Sequence, residues 1–491
     1  MTTGKKGMRL IAGAGVGAAA AAALRRRWAG RRGPAAPERP VPAGAGRALL
    51  DHLAEAVQIR TISDEDRSHI DRAPFGEFHA FLERTYPLVH RDLRREVVAE
   101  HSLLYTWEGA DPAVPPVLLM GHLDVVGIEP GTEDDWEHPP FAGERDEEHL
   151  WGRGSIDDKG SVVALFEAVE GLLAEGFRPD VTLHLAIGHD EEIGGTEGAA
   201  AVSALLASRG TRLDFVLDEG GAVVSDLLPG ITGPVALLGI GEKGYLNLEL
   251  VAEGGGGHSS VPPPHTAIGL LAAAVQRLEA GPMPARLEVQ AGFFAALTPV
   301  VGGFRGLALR HLDRLGSLVE RRLSALPSGS ALIRTTCAVT MIEGGVKPNQ
   351  LPQSARAVAN FRLLPGDTAA GVLAHVRAVV GEEITVRQVE GGFSAEPSAR
   401  ADTGSASYRL VAETIEEVFP GATVAPWVVM GATDSRHYLP IAENVYRFSP
   451  FRFTPEDMSR MHGTGERLRL ADADGAVAFY RRLVMRTCGV G

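Results

Sequence analysis

The stretch LLMGHLDVVG, Leu118–Gly127, begins as a buried strand and ends on an imidazole and a carboxylate, His122 and Asp124. Polar groups at the end of an apolar strand need partners, and the same pattern recurs along the chain. VTLHLAIGHDEE (Val181–Glu192) runs apolar and ends in Glu191 and Glu192, and LDFVLDEGG (Leu213–Gly221) ends in Asp218 and Glu219. Between these runs lie helical periodicities. Lys159–Gly176 spaces Val162, Leu165, Phe166, Val169, Leu172 and Leu173 on one face, and Thr196–Gly210 reads as a second helix. Strand, helix, strand, helix, strand predicts an α/β unit with a mostly parallel sheet. In such sheets the carboxyl ends of the strands gather in one crevice, where ligands bind. The clusters His122/Asp124, Asp157/Asp158 in GRGSIDDKG, Glu191/Glu192 and Asp218/Glu219 are therefore expected to meet there.

A second pattern starts near Glu242. Tyr245–Glu253 alternates with Leu246, Leu248 and Leu250 on one face, and His265–Gly281 is a helix. Ala331–Gly345 and Gln353–Gly366 read as strands, Asp367–Gly381 as a helix and Glu383–Glu390 as a strand. This β-α-β-β-α-β order is the ferredoxin-like split unit. Gly281 to Gly329 interrupts it with a helical insertion. The first pattern then resumes with a helix over Ser405–Gly421, a strand over Thr423–Gly431 and a final helix over Ala473–Gly489. The expected architecture is a discontinuous α/β catalytic domain, 47–241 and 395–491, with an inserted ferredoxin-like α+β lid domain, 242–394. Residues 1–46 form an apolar N-terminal segment and a linker rich in Pro, Gly, Ala and Arg.

Many carboxylates in one crevice repel one another and resist ionisation. Divalent cations remove that conflict, and mixed His and carboxylate donors suit zinc. The number of acids fits two ions sharing a bridging ligand. One acid must stay off the metals to act as base. Neighbours on an extended segment point oppositely, so Glu191 and Glu192 suit that division. A second histidine is supplied by MHGTGERL, which offers His462 in a Gly-flanked loop.

The formal charge of −14 excludes the basic footprint of a nucleic-acid binder and disfavours a phosphodiester hydrolase. Cys337 and Cys488 form no disulfide framework and no metal motif, and read as small buried residues. At the N-terminus, basic residues flank an apolar run, Leu10–Leu24. Fifteen helical residues span about 22 Å against the roughly 30 Å of a bilayer core. The run reads as a membrane anchor or an export signal, with an Ala-rich tail as the other reading.

Taken singly, the motifs have ordinary explanations: a turn pair for HxD, a helix cap for DDKG, a flexible turn for GGGGHSS. Together, GHLDVV, WGRGSIDDKG, HDEEIGG, LDEGG, GGHSSVPP, GGVKPNQLP, GATDSRHY and HGTGERL, in this order, resemble the di-zinc metallopeptidase family of aminoacylase, carboxypeptidase S, glutamate carboxypeptidase and the cytosolic dipeptidases. The similarity runs from about Arg47 to the C-terminus and leans to the carboxypeptidase S and N-acyl-amino-acid hydrolase branch. It implies two zincs per chain held by His122, Asp157, Glu192, Asp218 and His462, with Glu219 the alternative to Asp218. It implies Asp124 behind a ligand imidazole and Glu191 as general base. His258 and Asn349 would polarise the scissile carbonyl, and Arg362 or Arg436 would hold a substrate carboxylate. The implied substrate is a small acyl amino acid or short peptide, reached by hinge motion near Glu242 and Glu390 to Ser394. The rivals are a dipeptidase of the same family and a catalytically silent metal- or peptide-binding ectodomain; the acid at Glu191 speaks against silence.

Overall fold

The structure is a computed structural model that describes residues 44–225, 231, 233–390 and 393–489. Its large sheet has four parallel strands at the centre, in the order Leu183–Gly188, Val117–His122, Leu213–Asp218 and Ala442–Arg447. Antiparallel partners extend one edge through Ser102–Trp107 and Arg94–Val98. The other edge continues into Val235–Glu242, beside which Thr423–Val429 runs parallel. Alternation sets what each strand buries. Val117 and Leu119 enter the core under the helices Ala45–Gln58, Lys159–Ala174 and Ala473–Cys488, while Leu118 and Met120 enter the opposite core under Ala199–Ser208. With both faces covered, the strands are mostly apolar, and chemistry-bearing groups gather at their carboxyl ends. Register aligns those ends, pairing His122 with Gly188 and Asp218 with Arg447.

The second sheet has four antiparallel strands in the order Thr336–Gly344, Ser354–Leu363, Gly244–Glu253 and Ile384–Gln388. In chain order this is 2-3-1-4, the arrangement of the ferredoxin-like split unit. Leu246, Leu248, Leu250 and Phe361 are buried against helices Ala267–Ala280 and Ala369–Val380.

Two details depart from the sequence reading. Ala331–Ile333 end a helix, Pro327–Ile333, and the strand starts only at Thr336. The insertion is helical as expected, but its helix Ala291–Leu297 packs on the large unit. Phe293, Phe294 and Leu297 join the large core, and the Phe293 ring lies 5.3 Å from Trp427. Cys488 is buried and Cys337 partly so, both as free thiols. Among the described residues no helix is long and apolar enough to cross a membrane; the run Leu10–Leu24 lies outside them.

Candidate metal centre

His122 ends its strand fully buried, with its two ring nitrogens on different partners. Nδ1 lies 3.4 Å from Asp124 Oδ1 and 3.0 Å from the Asp124 carbonyl oxygen. Nε2 lies 3.1 Å from Asp157 Oδ1 and 3.8 Å from Glu219 Oε1. A carboxylate on the far nitrogen fixes the tautomer and orientation of a ligand imidazole. Asp124 does more than the sequence indicates. Its Oδ1 accepts the Glu191 amide and its Oδ2 the Glu192 amide, both at 3.2 Å, and Oδ2 also accepts from Ser63 Oγ at 2.8 Å. One buried carboxylate therefore holds both the imidazole and the turn Glu191–Ile193.

Asp157 is shared by two histidines. Its Oδ1 faces His122, and its Oδ2 lies 2.9 Å from Nε2 of His462, which is also 3.1 Å from Glu192 Oε2. His462 reaches this position from a loop in which it takes a left-handed φ of 58°. The Asp157 backbone is fixed in turn by Glu466. That buried carboxylate accepts from Ile156 N at 2.8 Å and Asp157 N at 3.2 Å and pairs with Arg153 at 2.6 Å. Glu466 stands within the HGTGERL motif, yet the sequence carried no sign of its role. Lys159, directly after the paired aspartates, is buried with Nζ donating to the carbonyls of Ala56 at 3.0 Å and Ile59 at 2.5 Å.

Two groups of ligand atoms emerge, each within 4.8 Å: His122 with Asp157 and Glu192, and His122 with Asp158 and Glu219. A tetrahedral zinc with bonds of ~2.0–2.1 Å keeps its ligand atoms about 3.3 Å apart. The distances around Asp157 match that spacing. The donor set also carries the signs of a cation site. Glu192 Oε1 and Asp158 Oδ1 are buried without a hydrogen-bond partner. Burial and the neighbouring Asp157 push the Glu192 carboxyl up to about 7. Burial, with Glu192, Asp434 and Asp157 nearby, raises Glu191 well above the usual carboxylate range. Hydrogen bonds to Asp157 and Glu192 carry the His462 imidazole up to about 10. Mutually opposed acids of this kind are relieved by positive charge placed among them.

Asp218 does not join the group. Its Oδ2 accepts from Ser435 N at 2.9 Å, and its neighbour Glu219 faces His122 instead. Consecutive residues at a strand end point to opposite sides. Of the two acids that the sequence leaves open, Glu219 and not Asp218 is the one that faces His122. Asp434 was not foreseen at all. It is buried, has no partner for either carboxylate oxygen, and sits against the α-carbons of Gly188 and Gly195.

Of the substrate candidates, His258 lies on an exposed two-strand ribbon that pairs Gly257–His258 with Gln350–Leu351, and Asn349 stands in the turn before it, its carbonyl accepting from Ser259 N at 3.3 Å. His258 Nδ1 bonds Ser260 Oγ at 2.8 Å, and neither residue has a hydrogen bond to the carboxylate cluster. Arg362 lies on the face of its strand opposite Phe361, with its guanidinium 4.6 Å over the Tyr245 ring. Arg436 Nη2 donates to the Gly194 carbonyl at 2.6 Å, beside the Glu191–Ile193 turn. His437 bonds the same carbonyl and His189 bonds Ser102 Oγ, which are structural roles for both.

Residues 118–486 match the model of peptidase family M20/M25/M40. A probable carboxypeptidase S-like protein of Dictyostelium discoideum is 38% identical over 448 residues, covering 89% of this chain and 85% of the relative. An N-fatty-acyl-amino acid synthase/hydrolase of Homo sapiens is 37% identical over 443 residues, covering 89% and 87%. The fold is similar to that of a crystallised M20 family metallo-carboxypeptidase from Sulfolobus solfataricus, with a TM-score of 0.62 at 19% identity over 89% of this chain and 98% of that one. The chain belongs to peptidase family M20/M25/M40 and is a metal-dependent hydrolase of amide bonds.

Proposed function

We propose that the chain releases an amino acid from a small N-acyl amino acid or short peptide by hydrolysing the amide bond next to its free carboxylate. The observation that carries this reading is Asp157, whose two carboxylate oxygens each face a different histidine. In this reading His122, Asp157 and Glu219 hold one zinc, and His462, Asp157 and Glu192 hold the other. When bound, the ions supply Lewis-acid activation of a water and charge stabilisation at the carbonyl oxygen.

The chain's own groups do the rest. Glu191 takes the proton of the attacking water and delivers it to the leaving nitrogen. Asp124 keeps His122 and the Glu191 backbone in one frame. His258 and Asn349 donate hydrogen bonds to the carbonyl oxygen once the smaller unit swings over the site, turning near Glu242; of the expected return hinge, Glu390 to Ser394, residues 391 and 392 lie outside the described residues. Arg362, with Arg436 as the competing candidate, fixes the substrate carboxylate so that it does not compete for the metals; the planar guanidinium suits that geometry. The names of the relatives, a carboxypeptidase S-like protein and an N-fatty-acyl-amino acid synthase/hydrolase, support both acyl amino acids and peptides as substrates. The apolar run Leu10–Leu24, with its basic flanks, serves as a membrane contact or export signal in the same scheme.

The test is a panel of N-acyl amino acids and dipeptides, each with its C-terminal amide counterpart, assayed with added zinc. Turnover of the acids and poor turnover of the amides is expected. Equal turnover of both contradicts recognition of a free carboxylate.

A further inference from the structure

Two aromatic rings lie outside every apolar core of the described residues, between the two candidate arginines. Phe393 stands in the segment returning from the smaller unit to the larger and is 39% exposed. Its ring is 5.3 Å from that of Tyr245, at 49°. It also packs on Gly194, where an added β-carbon would meet Phe393 Cδ2 at 3.6 Å. Gly194 closes the turn that presents Glu191 and Glu192. The Arg436 guanidinium lies 4.8 Å over Phe393, and that of Arg362 lies 4.6 Å over Tyr245. Arg362, Tyr245, Phe393 and Arg436 thus form one continuous row from the small sheet to the catalytic turn. Neither arginine is ion-paired with a carboxylate among the described residues, although Asp434 lies close enough for its charge to be felt by Arg436.

A guanidinium stacked on a ring keeps its N–H edges free for a carboxylate. A substrate carboxylate bound by either guanidinium would bring the side chain on its adjacent α-carbon within reach of the two rings. We propose that Tyr245 and Phe393 form the side-chain subsite for the leaving amino acid and select residues with large apolar side chains. The proposal rests on the amide-hydrolase reading above. It makes the two rings specificity determinants, since they touch the substrate side chain and not the reacting atoms.

The test compares kcat/KM for N-acetyl-phenylalanine, N-acetyl-leucine and N-acetyl-glycine in the wild type, Phe393→Ala and Phe393→Leu. The wild type should prefer phenylalanine and leucine. In Phe393→Ala the phenylalanine-to-glycine ratio should fall at least about tenfold, the scale on which an apolar pocket discriminates. Phe393→Leu should recover part of that ratio. A Phe393→Ala ratio equal to that of the wild type overturns the subsite, whether all three rates fall together or none does. So does a wild type that favours glycine. A wild type that turns over no amide in this series or among dipeptides overturns the hydrolase reading, and the subsite with it.

Discussion

At the scale of single residues, neighbouring acids are divided by the direction in which each side chain leaves the strand end. Glu219 faces His122, whereas Asp218 is occupied by the Ser435 amide. Glu219→Gln should therefore reduce bound metal to about one ion per chain, whereas Asp218→Asn should keep both; metal analysis of the two purified variants decides it. Zinc loss from Asp218→Asn alone would return the ligand role to Asp218. The same division separates Glu191 from Glu192. Glu192 touches His462, while Glu191 belongs to neither group of ligand atoms. Glu191→Gln should retain the metals and lower kcat by about 10²–10⁴, the range of a general base. Loss of metal with Glu191→Gln would exchange the two roles. The sequence named both pairs of acids but resolved them unequally. Opposed directions marked Glu191 and Glu192 as one base and one ligand, the family resemblance implied which was which, and Asp218 and Glu219 were left open. Choosing between those two depends on where the strand stops, and apolar periodicity does not report that. Asp434 is placed by burial and Glu466 by backbone amides of a distant segment, so no local pattern announces them.

At the scale of elements, the strands were legible because both faces of the sheet are covered, which makes them mostly apolar up to the functional edge. Val117–His122, Leu183–Gly188 and Leu213–Asp218 all end where the sequence turns acidic. The smaller unit was legible from alternation, as Leu246, Leu248 and Leu250 are buried together. The docking of the helix Ala291–Leu297 on the large core was not, because a helical periodicity shows that one face is buried but not against what. The central strands also make the fold sensitive to acid. His184, on Leu183–Gly188, is buried with Nδ1 3.1 Å from Thr106 Oγ1, and burial lowers its imidazole from 6.5 to about 4. Between those two values the unfolded chain binds a proton that the folded chain excludes, so this residue's contribution to stability falls as pH drops through that window. The loss is on the order of 3 kcal/mol at most. His184→Asn should flatten the dependence of unfolding free energy on pH between about 4 and 6.5, measured by denaturant titration. An unchanged slope would assign the acid sensitivity to other groups.

At the scale of the whole molecule, the proposed function has its chemistry in the larger unit and its substrate recognition between the units, with no role for the N-terminal segment in either. Deleting Met1 to Arg32 should leave turnover in solution unchanged, because every candidate site residue lies beyond it; a folded, inactive product would contradict this. The acidic balance of the chain, −14, is partly an expression of this cluster, since Asp157, Asp158, Glu192 and Glu219 gather around His122 and His462. Such a gathering of carboxylates is sustained by bound cations. The most direct measurement of the central claim is metal content set against activity in the same purified sample. About two zincs per chain are expected, as in paired sites, with activity lost on chelation and regained as the second equivalent of zinc is restored. Full activity with one metal ion or none would contradict the dinuclear centre.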